Sequence, residues 1–101
     1  MIQRVVCFKF KPDTSAAAIQ QHMADFAGLE TAIPEILAYR GGKVIHEVND
    51  PQSGYDVMHY LTFAHAQDIE AYFHHSAHQQ FIQHNKAIWE QVIVISSEFG
   101  V

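Results

Sequence analysis

Residues 2–10 read IQRVVCFKF, and their alternation decides what the rest of the chain can be. Ile2, Arg4, Val6, Phe8 and Phe10 fall on one side of an extended segment, and Gln3, Val5, Cys7 and Lys9 on the other. The stretch predicts a β-strand with apolar residues on both faces, so it belongs inside a sheet that needs cover on both sides. Working outward, Pro12-Asp13-Thr14-Ser15 supplies turn and N-cap chemistry. Ile19, Met23, Phe26, Leu29 and Ile33 then recur at three- and four-residue steps until Pro34, which predicts an amphipathic helix.

Leu37 to about Glu47 predicts a weaker second strand, with Gly41-Gly42 marking a bulge or a close backbone approach, and Asn49–Gly54 is a loop. Tyr55–Phe63 is a third strand in which Tyr55, Val57, His59, Leu61 and Phe63 share one face. A short helix follows over Ala66–His74. Ser76 with Gln79 three residues later fits a capping box, so a further helix is expected from Ser76 to about Glu90. Gln91–Phe99, with Val92, Ile93, Val94 and Ile95, predicts the last strand.

The order β-α-β-β-α-β, with its second helical stretch broken in two, implies one α+β domain over residues 1–101. The arrangement is ferredoxin-like: a four-stranded antiparallel sheet with its helices on one face. The other face carries apolar residues from the first and last strands, and leaving it in water invites association. A homodimer through the sheet face is therefore expected.

The 101 residues carry a net charge of −5, and the six Lys/Arg are scattered, so no basic stripe exists to follow a phosphate backbone. Nucleic acid is not an expected partner. The N-terminus runs straight into the alternating pattern and no apolar run approaches the ~20 residues of a membrane span, so the expectation is no membrane and a cytoplasmic location. Cys7 is a lone cysteine at an interior strand position and reads as a small buried apolar side chain, not a nucleophile. There is no G-x-G-x-x-G or P-loop, and nucleotides are not expected.

The sequence RVVCFKFK at 4–11, Gly54-Tyr55 at the start of the third strand, and AYFHHSAHQQF at 71–81 resemble the stress-responsive A/B-barrel (Dabb) family over essentially the whole chain. The resemblance implies a dimeric α+β barrel in which two ferredoxin-like sheets pack face to face. It leaves function open, because one fold hosts several chemistries. Many members have no known activity, and the first expectation is a small-molecule-binding, stress-associated protein without catalysis. A plant polyketide-cyclase branch performs an aldol closure with a tyrosine and a histidine that match Tyr72 and His78, and Met23 and Phe26 match its pocket walls. The wider superfamily includes cofactor-independent monooxygenases. Two positions depart from the pattern: Arg4 stands where the family often has histidine, and Ser76 where proline is usual between the two histidines.

A histidine in the first turn of a helix that starts at Ser76 is held neutral by the exposed N–H groups, so His78 can act as a general base. Tyr72 can donate to the carbonyl oxygen of a substrate and stabilise an enolate. The expected pocket lies between sheet and helices, walled by Met23, Phe26, Val57, His59 and Leu61, with Arg4 at its edge. Beside this stands the ordinary reading, in which Tyr72 is a core aromatic and His78 donates to a nearby carbonyl. His74, His75 and His78 have the spacing of ligands on one helical face, but a break at Ser76 splays them and no cysteine or carboxylate pair flanks them. No metal and no cofactor is expected. His22, His46, His65 and His84 read as solvated surface residues.

Overall fold

The computed structural model describes residues 1–45 and 54–100. The expected end of the second strand at Glu47, His46 and most of the Asn49–Gly54 loop lie outside the described residues. Four strands, β1 (Ile2–Phe10), β2 (Ala38–Lys43), β3 (Val57–Phe63) and β4 (Trp89–Glu98), form one antiparallel sheet in the order β2-β3-β1-β4. Helices α1 (Ala16–Ala27), the one-turn α2 (Leu29–Ala32), α3 (Ala66–His74) and α4 (Ser76–Asn85) complete a ferredoxin-like α+β fold.

Ser15 starts α1 as read, its Oγ accepting from the Ala18 N–H at 3.1 Å. The helix expected to reach Ile33 is interrupted at Gly28, yet Leu29 and Ile33 are still buried, so the apolar stripe survives the break. β3 starts at Val57 and not at Tyr55. Asp56 is spent on fastening that start to β1: its N–H donates to Phe8 O and its Oδ2 accepts from the Phe10 N–H, each at 2.8 Å.

The expected cap at Ser76 is corrected by one residue. His75 is the N-cap, extended at φ −63° and ψ 139°, and its Nδ1 accepts from the Ala77 N–H at 3.0 Å. Gln79 does not close a capping box but donates to Phe73 O at 2.6 Å. α4 stops at Asn85, and a single 3₁₀ turn over Lys86–Ile88 leads into β4 at Trp89.

Register sorts the two faces of the sheet. Val6, Phe8, Val57, His59, Leu61, Val92 and Val94 face the helices, as the third-strand reading required. Val5, Cys7, Met58, Tyr60, Ile93 and Ile95 share the other face, which no helix among the described residues covers. Cys7 is thus half-buried on an open face and not a core residue. A concavity of about 840 Å³ lies on that face against Ala38, Arg40, Met58, Tyr60 and Thr62.

Candidate functional site

Two separate polar clusters sit under the helices. The first opens where α3 and α4 meet the β1–β4 edge of the sheet, a cavity of about 170 Å³ whose wall includes Arg4, Phe26, Tyr72, His78, Phe81 and Trp89. The break at His75 turns the chain so that the last turn of α3 and the first of α4 present Tyr72 and His78 to the same space. Their ring centroids are 4.4 Å apart. His74 is left exposed on the far side of the break.

His78 has one tautomer that satisfies its surroundings. Its Nδ1 lies 3.1 Å from Phe73 O, and a carbonyl only accepts, so Nδ1 carries the proton and Nε2 keeps a free lone pair. Burial lowers its pKa from the ordinary histidine value, the bond to Phe73 O works against that, and the nearby Arg4 charge adds to it. His78 is therefore neutral near pH 7, with burial and not the helix terminus as the leading cause.

Tyr72 is 1% exposed, and burial pushes its phenol up to about 12, with Arg4 pulling the other way. It stays protonated across the working range. Its hydroxyl makes no hydrogen bond to any of the described residues, so the proton is free to donate. The Arg4 guanidinium carbon is 5.9 Å from the Tyr72 ring centroid, and Arg4 Nη1 donates to Ser96 Oγ across the β1–β4 pair at 3.0 Å. Arg4 Nε is buried without a hydrogen-bond partner among the described residues.

The second cluster was not legible as a site. His22, read as a surface residue, is fully buried, and so is His59. Their Nε2 atoms are 3.0 Å apart. Trp89 Nε1–H lies 3.0 Å from His22 Nδ1 and can only donate, so His22 carries its proton on Nε2 and gives it to His59 Nε2. His59 must then be protonated at Nδ1, which donates to the Tyr39 hydroxyl at 2.8 Å. The donors run one way, from Trp89 through His22 and His59 to Tyr39. Gly41 makes room for the end of this relay, since a Cβ there would collide with the Tyr39 hydroxyl and lie 3.0 Å from His59 Nδ1. That is the close approach expected at Gly41-Gly42.

Of the residues expected to wall the pocket with Tyr72 and His78, Arg4 and Phe26 do so. Met23, Val57, His59 and Leu61 do not, although all four pack in or against the core. Strand order gives the reason. β3 lies on the far side of β1 from β4, so β1 stands between most of its buried face and the cavity: His59 stacks on Phe26 of α1, and Phe63 at the end of β3 meets the Tyr72 ring. His22 was missed even though the stripe Ile19, His22, Phe26, Leu29 and Ile33 carries it at heptad spacing; Met23 is one position off that line and is half-buried. His65 and His84 are exposed, as expected.

The chain resembles known proteins along nearly all of its length. Olivetolic acid cyclase from Cannabis sativa is 24% identical over 93 residues, covering 92% of this chain and 91% of that one. The structure of a hydroxynitrile lyase from Passiflora edulis superposes with a TM-score of 0.88 at 19% identity, covering 98% and 93% of the two chains. A protein from Thermobifida fusca, described as a dimeric ferredoxin-like protein, gives 0.80 at 16%, with 97% and 90% covered. At these identities the structures speak for the fold alone. The family model for the stress responsive A/B barrel domain matches residues 2–99, and the chain belongs to that family.

Proposed function

We propose that the cavity is the site of a cofactor-free reaction on a small carbonyl compound, with His78 Nε2 taking a proton α to the carbonyl and the Tyr72 hydroxyl donating to the oxygen as the enolate forms. The observation that carries this reading is the fixed tautomer of His78: Phe73 O holds the proton on Nδ1 and leaves a basic nitrogen on a neutral ring beside a protonated phenol. A neutral imidazole base and a preorganised donor in an apolar site are the two parts such a proton transfer needs. Two relatives named for an activity, a cyclase and a lyase, fit a scaffold that does chemistry on carbon skeletons. The cavity is small. An engineered apolar cavity of about 150 Å³ holds benzene, so the part of a substrate held here is of roughly that size.

The test is exchange of α-hydrogens for deuterium in small ketones and oxo acids, followed by NMR. Wild type should speed exchange, and His78→Ala should lose about 10²–10⁴-fold of it, with a smaller loss in Tyr72→Phe. Equal exchange in all three proteins removes His78 and Tyr72 from the reaction.

The protein acts, in this reading, as a homodimer joined through the uncovered sheet face. Met58, Ile93 and Ile95 are exposed there beside Val5 and Tyr60, a contiguous apolar surface of the kind that marks association sites. Sedimentation at micromolar concentration should show a dimer, and Ile93→Lys with Ile95→Lys should shift it to monomer. A wild-type monomer at that concentration overturns the reading.

A further inference from the structure

Arg4 is a cation without an anion. It lines the cavity with Tyr72 and His78, no carboxylate of the described residues lies within ion-pair distance of it, and its buried Nε has no hydrogen-bond partner there. The rest of the wall is largely apolar: Val6, Phe8, Phe26, Ile82 and Val94 among others. A charge partly withdrawn from water, unpaired and with an unmet donor is costly, and a bound anion offsets that cost while supplying the missing acceptor. A guanidinium presents a planar fork of donors that fits a carboxylate.

Resting on the reading of His78 as base, we infer that the cavity takes a short oxo-carboxylate, with the carboxylate on Arg4 and the adjacent carbonyl on the Tyr72 hydroxyl. Distance restricts the class. The Arg4 guanidinium lies over the Tyr72 ring, its carbon 5.9 Å from the centroid, and both residues line one cavity of about 170 Å³, so a molecule that meets both groups and fits there is short. A single guanidinium among apolar walls suits a carboxylate better than a phosphate, which calls for more donors. In the step itself the C–H bond α to the carbonyl breaks and its proton passes to His78 Nε2. The electron pair forms a C=C bond as the carbonyl π pair moves onto oxygen, which accepts from Tyr72 O–H. Return of the proton from His78 Nε2 to carbon regenerates the oxo acid. The same Arg4 charge that holds the carboxylate also disfavours imidazolium at His78, so binding an anion on Arg4 relieves that repulsion and strengthens the base when substrate is present.

The experiment compares 2-oxobutyrate with its neutral amide, 2-oxobutyramide, on wild type, Arg4→Gln, Arg4→Lys and His78→Ala, reading binding by NMR shift titration and α-deuterium exchange separately. Wild type should prefer the acid, and Arg4→Gln should weaken acid binding about tenfold or more while changing amide binding less than about twofold. Arg4→Lys should fall between, and His78→Ala should still bind the acid through Arg4 without exchanging it. Equal binding of acid and amide to wild type, a preference that survives Arg4→Gln, or no saturable binding of the acid at millimolar concentration overturns the inference. Exchange of 2-oxobutyrate that needs His78 but is unchanged in Arg4→Gln overturns it too, while leaving the base in place. Arg4-dependent binding of the acid without exchange in wild type supports the Arg4 assignment and removes the base.

Discussion

Acidification from about pH 7 to about pH 5 will cost the native fold about 4 kcal/mol through His22 and His59 alone. Burial pushes His22 down to about 4, with Asp25 pulling upward, and burial followed by the neighbouring His22 pushes His59 down to about 3, both from 6.5. The hydrogen bonds explain why neither ring takes a proton. His22 Nδ1 is occupied by the Trp89 donor and His59 Nε2 by the His22 donor, so imidazolium at either ring sets two donors against each other. In the unfolded chain both rings titrate near 6.5. Their contribution to stability is therefore complete above about pH 6.5 and drains as pH falls, at about 1.4 kcal/mol per unit for each ring, until the native rings themselves titrate. His78, whose pKa is also lowered, adds in the same direction.

Urea titrations at fixed protein concentration across this range should show the midpoint falling with pH, and the double variant His22→Leu/His59→Leu should be flatter. Should that variant not fold, ¹⁵N shifts of the imidazoles in wild type decide the matter, with His22 protonated on Nε2 and His59 on Nδ1. An imidazolium signal from either ring at pH 6, or a midpoint unchanged between pH 6.5 and pH 5, contradicts the relay.

What could be read beforehand follows from which interactions are periodic. The alternation in IQRVVCFKF and the stripe from Ile19 to Ile33 are one-dimensional records of burial, so the element order and the helix-covered face of the sheet were legible. Tyr72 and His78 were paired through the family resemblance, and the break between α3 and α4 is what turns both toward one cavity. His59 was placed on the correct face but beside the wrong neighbours, since strand order is a long-range property and β3 lies one strand away from the cavity. His22 was misplaced because a histidine is normally priced as polar. Its burial becomes affordable only when Trp89, 67 residues away, and His59 satisfy both ring nitrogens, and no local pattern announces that. The cap shifted from Ser76 to His75 for a related reason: an imidazole Nδ1 can accept from the Ala77 N–H as a hydroxyl would, though histidine is not among the usual caps.

Phe26→Ala should be the most damaging single truncation near the site, at about 3–5 kcal/mol. The ring is 1% exposed and stacks on His59 with centroids 3.8 Å apart and planes 4° from parallel. It also meets Phe8 and Phe81 edge-on and forms part of the cavity wall, so its removal leaves a void that joins existing space and cannot easily collapse. Phe26→Leu, keeping more of the volume, should lose less. The urea midpoint measures both, with the slope unchanged if the denatured state is unaffected.

The same variant has a second consequence that separates packing from electrostatics. The lowered pKa of His59 comes first from burial, and Phe26 covers one face of that ring. Opening the wall lets water reach the imidazole, and a better-hydrated imidazolium is less disfavoured. His59 in Phe26→Ala should then titrate closer to 6.5, and part of the acid-induced loss disappears along with the ring. The destabilisation caused by Phe26→Ala should consequently be smaller at pH 5 than at pH 7, although the deleted atoms are the same at both. An equal destabilisation at the two pH values would mean that the tautomer-fixed hydrogen bonds, and not the covering ring, keep His59 neutral.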